Sequence, residues 1–178
     1  MKVDLTHRYE FFPMITKSYI NENLKKMNFC YLSARSQKEI SFFAKLAVLE
    51  LCGWIELSMD DVIKAHAKRN HRDEFNIKNI ENYVKKNSGF SYEKHFRILL
   101  IQLLGIVNLE RFEKSLNIGI DIKFQSELNN LHKIRNCLAH TYIKGTTSQL
   151  DAPSITLARF EVIWTGLKEY EKRLRIFK

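Results

Sequence analysis

The chain has 178 residues, of which 45% are hydrophobic and 12% aromatic, and its formal charge is +9. A chain of this length and composition fits one domain with a substantial core, and it excludes an intrinsically disordered protein. The positive charge says nothing about the fold, but it favours polyanionic partners such as RNA, DNA or acidic proteins. The odd number of cysteines, Cys30, Cys52 and Cys137, predicts small buried thiols in a reducing compartment rather than a disulfide framework.

No segment of the sequence has the pattern of a targeting signal or a membrane span. The first residues lack the continuous apolar run of a signal peptide. The longest apolar run, residues 98–107, covers about half of a membrane span and contains Gln102. We therefore expect a cytoplasmic protein that does not interact with a membrane.

Helical periodicity dominates the sequence, which has only two prolines and six glycines and no sustained alternation typical of strands. In residues 1–35, apolar residues at helical spacing predict a helix that begins near Pro13. Ser36 followed by Glu39 is the signature of a capping box. From there apolar residues keep the helical period for about seven turns, which predicts the longest helix of the chain.

This predicted helix runs out through a basic segment at residues 64–72, KAHAKRNHR. Cations at a helix C-terminus are favoured by the helix dipole, so part of the cluster needs no function. The alternative is contact with a phosphate backbone, for which the candidate residues are Lys64, Lys68, Arg69 and Arg72. His66 and His71 lie five residues apart, a poor fit to paired metal ligands on a helix, and we expect neither a metal nor a cofactor.

Shorter helices are predicted in the middle of the chain. Turn residues bound one helix over residues 76–86, and Ser91 caps a second one over residues 92–104. Gly105 separates that helix from a brief third one. A long final helix begins at Pro153, because proline is favoured in the first turn of a helix.

Residues 117–119, Asn-Ile-Gly, predict a turn before the helix that carries the most unusual polar residues. Asp121 or Ser126 is expected to open this helix and Gly145 to close it. The elements together predict an all-α fold: an up-and-down four-helix-type bundle over residues 36–178, with additional short helices and an N-terminal helical extension over residues 1–35. We expect a single domain.

Residues 127–142, ELNNLHKIRNCLAHTY, form the segment on which the functional prediction depends. Their apolar residues recur at helical spacing, and polar residues are set into this pattern. Asn136 and His140 are four residues apart and share a face, which His132 extends by one turn. Arg135 lies on the flank of the apolar stripe, where an unpaired buried charge is costly.

The predicted long helix offers two carboxylates as partners for Arg135. Glu50 lies beside apolar positions of that helix and is the first candidate, and Glu56 is the second. The alternative is that both carboxylates simply lie at the boundary with solvent, in which case the guanidinium needs a ligand instead.

Residues 135–140, RNCLAH, match the R-x4-H form of the R-x4-6-H motif, and the chain resembles HEPN domains (higher eukaryotes and prokaryotes nucleotide-binding). The polar Asn136 after the arginine, the small Ala139 before the histidine and the helix order over residues 36–178 are similar to the small stand-alone HEPN ribonuclease or toxin-type proteins. Thr141 departs from the pattern, since glycine often follows the histidine there.

This resemblance implies a metal-independent endoribonuclease that leaves a 2′,3′-cyclic phosphate and a 5′-hydroxyl. It also implies a role as a toxin or in antiviral defence, restrained by an antitoxin or a nucleotidyltransferase partner. Two alternatives remain: a non-catalytic HEPN-like module that binds RNA, nucleotide or a partner protein, and a helical scaffold whose charge only keeps it in solution.

The residue types themselves suit metal-free RNA cleavage. His140, with an ordinary pKa near 6.5, can act as base or acid near neutral pH. Arg135 can hold a phosphoryl oxygen in its fixed fork, and Asn136 can orient the imidazole or bind the phosphate. On an ideal helix His132 is about 12 Å from His140 along the axis, too far to share a metal, and it is a supporting candidate only, as a residue that could line the cleft.

One helix cannot close both motif residues around a single phosphate. Five residues separate Arg135 from His140, which rotates their side chains about 140° apart. A two-fold interface that brings two such helices together would pool two arginines and two histidines, and HEPN nucleases resemble this arrangement. We therefore expect a homodimer with its site at the interface.

Overall fold

The computed structural model describes residues 15–139 and 150–177. The helices, in chain order, are α1 (Ser18–Leu32), α2 (Gln37–Asn70), α3 (Glu74–Lys86), a π-helical turn (Tyr92–Phe96) that continues into α4 (Arg97–Leu104), α5 (Ile106–Ser115), α6 (Ile118–Ala139) and α7 (Pro153–Ile176). The described residues contain no strand, so the prediction of an all-α fold is confirmed. In that part of the chain no helix is both long and apolar enough to cross a lipid bilayer.

Helix α2 is the spine of the molecule. Ser36 Oγ accepts a hydrogen bond from the backbone N–H of Glu39 at 3.2 Å, which confirms the predicted cap. Glu39 Oε2 in turn accepts the backbone N–H of Arg35 at 2.7 Å. This reciprocal capping fixes the start of a helix of 34 residues, about 50 Å long. It runs through the basic segment and packs against α1, α3, α4, α6 and α7.

Four helices, α1, α2, α6 and α7, surround the main core. Residues on their inward faces are fully buried, among them Leu24, Leu51, Ile55, Leu131, Phe160 and Leu167. Helix α1 belongs to the segment predicted as an N-terminal extension, and it packs against both α2 and α7 as one of these four helices. It begins at Ser18, whereas Pro13 lies outside the described residues.

The middle helices follow the predicted order. Asp73 Oδ1 accepts the backbone N–H groups of Phe75 and Asn76, so α3 begins at Glu74 rather than at residue 76. Gly105, at φ +75°, separates α4 from α5, which confirms the predicted interruption.

Helix α6 begins earlier than the sequence predicted. Asn117 Oδ1 accepts the backbone N–H of Gly119 at 3.1 Å and of Ile120 at 3.2 Å, so Asn117 caps a helix where we expected a turn. The expected starts at Asp121 and Ser126 are therefore wrong, and Asp121 lies in the first turn. The predicted end of this helix at residue 145 lies outside the described residues.

Two of the three cysteines are less buried than the sequence predicted. Cys52 is buried, but Cys30 is only half-buried and Cys137 is exposed. Cys137 faces outward because its side chain is rotated about 100° from the buried Leu138.

Candidate functional site

Arg135 lies half-buried on α6, on the flank of the apolar stripe as predicted. Its guanidinium is close to the α2 residue Cys52: burial raises the pKa of that thiol to about 12, and the positive charge of Arg135 opposes the rise. Arg135 Nη1 donates to Asn136 Oδ1 at 3.3 Å. None of the ion pairs formed among residues 15–139 and 150–177 includes Arg135.

The two carboxylates expected to pair with Arg135 are engaged elsewhere. Glu50 Oε1 accepts a hydrogen bond from Asn23 Nδ2 at 3.0 Å, because α1 packs along this part of α2. Glu56 Oε1 accepts the backbone N–H of Gly89 at 2.7 Å. The predicted ion pair with Glu50 or Glu56 is therefore not formed in the described part of the chain.

Asn136 connects Arg135 to His132. Asn136 Nδ2 lies 3.1 Å from His132 Nε2, which confirms that these two residues share a face. An arginine can only donate, so its hydrogen bond makes Oδ1 the acceptor and leaves Nδ2 to donate to the imidazole. A nitrogen that accepts a hydrogen bond carries no proton. The direction of these two hydrogen bonds therefore favours a neutral His132 imidazole with its proton on Nδ1.

The surroundings of His132 act in the same direction. Burial lowers the pKa of His132, and the positive charges of His95, Arg135 and Lys94 lower it further. The rings of His132 and His95 lie 6.0 Å apart between their centroids, and Phe90 makes an edge contact with His132 at 5.8 Å. Side chains from α6 and from the π-helical turn thus meet in one basic cluster.

The π-helical turn orients His95, which sequence reasoning did not identify. The N–H of Phe96 bonds to the carbonyl of Ser91, five residues earlier, at 3.2 Å. Ser91 Oγ lies 3.2 Å from His95 Nδ1 and also accepts the backbone N–H of Lys94, which confirms the predicted cap. π-Helical turns are rare in proteins, but those that occur often lie at functional sites. The residue types of this segment do not indicate one.

Gly89 packs directly against the ring of His95. Its φ is +130°, and a Cβ at this position would lie 2.7 Å from His95 Nε2. Any other residue would strain the backbone and push the imidazole away. Gly89 is the sequence signal that could have pointed to a close approach here, because glycine tolerates a backbone conformation and a close contact that other residues do not.

His140, the predicted acid–base residue, lies outside the described residues, as does Thr141. Helix α6 is described as far as Ala139, directly before this histidine. Lys133, which shares the helix, is exposed. No group of three potential metal ligands occurs within the two described segments.

The basic end of α2 is largely engaged in contacts within the chain. Lys64 lies 3.8 Å from Asp60, and Lys68 lies 3.3 Å from Glu81 of α3. Arg72 is exposed. Two of the predicted phosphate contacts therefore pair with carboxylates at the surface.

Arg69 has a different role at the same end of α2. Its Nη2 donates to the backbone carbonyl of Leu174 at 2.9 Å and lies 3.4 Å from His66 Nδ1. Burial and the charge of Arg69 lower the pKa of His66 to about 4. These contacts fasten α2 to α7 and account for Arg69 without a nucleic-acid ligand.

Comparisons of the chain with protein-family models, with curated proteins and with solved structures give no match. The resemblance to HEPN domains therefore stays a prediction.

Proposed function

We propose that this protein is a HEPN-type, metal-independent endoribonuclease whose site is built on helix α6. The observation that carries the proposal is the half-buried Arg135, which has no carboxylate partner among the described residues and lies beside a neutral imidazole. A charge in such a place favours an anionic ligand, since leaving it uncompensated costs free energy. A guanidinium fork binds phosphoryl oxygens in particular.

The proposed reaction needs no metal and no water. A neutral imidazole removes the proton of the 2′-hydroxyl, the 2′-oxygen attacks the phosphorus, and the 5′-oxygen leaves with a proton from a protonated imidazole. The products are a 2′,3′-cyclic phosphate and a 5′-hydroxyl. Arg135 stabilises the negative charge that develops on the phosphorane. His140 is the proposed acid–base residue, and Asn136, one turn before it, orients the imidazole or the phosphate.

The proposed active form is a homodimer in which two copies of α6 face each other. The sequence spacing supports this form, because on an ideal helix continued through residue 140 the side chains of Arg135 and His140 would be rotated about 140° apart and could not both reach one phosphate. The charge of +9 supports a polyanionic substrate. An antitoxin or a nucleotidyltransferase partner would restrain such an enzyme in the cell.

Cleavage of RNA in the presence of EDTA tests the proposal. We expect Arg135→Ala to lower kcat about 10²–10³-fold and His140→Ala to lower it about 10²–10⁴-fold. Arg111→Ala is the matched control, because it removes the same charge from an exposed position on α5. Undiminished cleavage by both site variants would show that the nuclease uses another site.

Mixing the two inactive variants tests the shared site. If the arginine of one protomer acts with the histidine of the other, a heterodimer of Arg135→Ala with His140→Ala contains one intact site. After random exchange of protomers, about a quarter of the wild-type activity should return. A mixture that stays inactive, or a monomer in sedimentation, would contradict the composite site.

The same basic cluster also favours the second candidate function, a non-catalytic HEPN-like module that binds RNA, nucleotide or a partner protein. Its cations are sufficient for binding, whereas turnover also requires the acid and the base. RNA binding that weakens in Arg135→Ala, without cleavage in EDTA or in magnesium, would identify this function. Neither binding nor cleavage would leave a helical scaffold.

A further inference from the structure

We propose that His132, together with Lys94 and His95, forms a second phosphate subsite, which holds a phosphate of the RNA strand other than the one that is cleaved. The identity of the strand rests on the proposed function, but the phosphate chemistry of the subsite does not. The R-x4-H motif includes none of these three residues.

The subsite is formed where the π-helical turn packs against α6. His132 is contributed by α6, and Lys94 and His95 by the π-helical turn, with the two imidazole centroids 6.0 Å apart. Both histidines are half-buried and Lys94 is exposed, so a ligand can reach the cluster from solvent. The ring of the buried Phe90 makes an edge contact with the ring of His132.

The charges that act on His132 are all positive. They come from His95 and Lys94 on the π-helical turn and from Arg135 on its own helix. Among the described residues, no carboxylate contributes to the charges that act on His132, and on the α2 side Glu56 is bonded to the backbone of Gly89 instead. Cations that outnumber the nearby carboxylates create a positive potential that an anion relieves.

The hydrogen bonds of His132 make this subsite sensitive to protons. In the free protein Asn136 donates to Nε2, and the imidazole is neutral. A phosphate placed against the ring favours the imidazolium, so binding takes up a proton. Protonated Nε2 can no longer accept from Asn136, so this hydrogen bond is broken when the subsite is occupied, whereas the bond from Arg135 to Asn136 Oδ1 does not depend on it.

The position of the subsite determines which phosphate it binds. On an ideal helix that continues through residue 140, the spacing of eight residues would separate His132 and His140 by about 12 Å along the axis, too far for both to contact one phosphate. The subsite therefore holds the strand away from the bond that breaks, and its loss should raise KM for longer RNA more than it lowers kcat.

Imidazole NMR signals provide the test, with inorganic phosphate and an uncleavable 2′-deoxy oligonucleotide as the two probes. We expect both probes to shift the His132 and His95 signals saturably and to move the titration midpoint of His132 to higher pH. Lys94→Ala should weaken binding of the oligonucleotide about tenfold. Lys133→Ala is the matched control, because it removes the same charge from the neighbouring exposed residue of α6.

Gly89→Ala provides a second variant that changes no charge. Its Cβ would displace the His95 ring, so we expect weaker phosphate binding with the bundle still folded. Unmoved His132 signals at saturating oligonucleotide, or equal losses in Lys94→Ala and Lys133→Ala, would overturn the subsite. Phosphate-dependent shifts in a protein that cleaves no RNA would retain the subsite and reject the nuclease. Cleavage that requires Arg135 and His140 without these shifts would do the reverse.

Discussion

Two polar networks lie against helix α6, one near its start and one near its end. Near the start, Tyr170 donates to Asp121 Oδ1 at 2.7 Å, and Tyr92 donates to Glu113 Oε1 at 2.8 Å. Arg97 Nε donates to the same Glu113 oxygen at 2.8 Å. Burial raises the pKa of both tyrosines, so they stay protonated as donors. Each of these donors has an acceptor, and the cation has its anion.

Near the end of α6, Arg135, Asn136 and His132 also form a continuous chain of hydrogen bonds. Here the charges that act on His132 are positive, and none of the described ion pairs includes Arg135. A network with matched charges stabilises the fold, because it satisfies its own members. An unmatched network lowers the stability of the fold, and we propose that it is kept because it binds an anionic ligand.

Replacing one arginine in each network should separate the two roles most strongly. We expect Arg135→Gln to lower cleavage about 10²–10³-fold while leaving stability unchanged or slightly higher. Arg97→Gln should leave cleavage per folded molecule unchanged and destabilise by about 1 kcal/mol, because Glu113 loses its cation. Initial cleavage rates and urea denaturation measure both effects. A large loss of stability in Arg135→Gln would show that its network is structural as well.

A third polar contact, between His66 and Arg69, should govern the pH dependence of stability. The unfolded chain protonates His66 below its ordinary pKa of about 6.5, whereas the folded chain does so only near pH 4. The unfolded state therefore binds more protons in this window. Stability should be complete above pH 6.5 and fall as the pH falls toward 4, by on the order of 2–3 kcal/mol.

Urea denaturation at several pH values measures this loss, with His66→Gln as the variant that cannot titrate. His66 also bonds to the backbone carbonyl of Leu174, and glutamine can still accept from Arg69 and donate to that carbonyl, so the stability of the variant should vary less between pH 6.5 and 4. The same slope in both proteins would assign the acid sensitivity to other groups.

The fold could be predicted where the determining signals are local. The cap at Ser36, the interruption at Gly105 and the start at Pro153 each depend on the conformational preference of one residue, and all three are confirmed. Asn117 was misread because asparagine favours both turns and helix caps. The place of α1 among the four core helices depends on packing against α2 and α7, which no local pattern encodes.

The site was predictable only along one helix. The shared face of His132 and Asn136 follows from helical spacing and is confirmed. His95 is far from His132 in the sequence and reaches it only through the packing of the π-helical turn on α6. The partners of Glu50 and Glu56 likewise come from other elements, Asn23 and Gly89, and their side-chain type alone could not identify them.

Two double-mutant cycles, one in each network, measure the smallest of the expected effects and compare the networks directly. Tyr170→Phe should lower the free energy of unfolding by about 1–2 kcal/mol, because it removes the buried hydroxyl that donates to Asp121. Combined with Asp121→Asn, it should reveal a coupling of about 1 kcal/mol. The pair Asn136→Ala and His132→Ala should couple by about 0.5 kcal/mol or less, because its hydrogen bond is only half-buried and forms among like charges. Thermal and urea denaturation measure both cycles. A coupling between Asn136 and His132 as large as that between Tyr170 and Asp121 would show that the polar residues at the end of α6 stabilise the fold and do not serve a ligand.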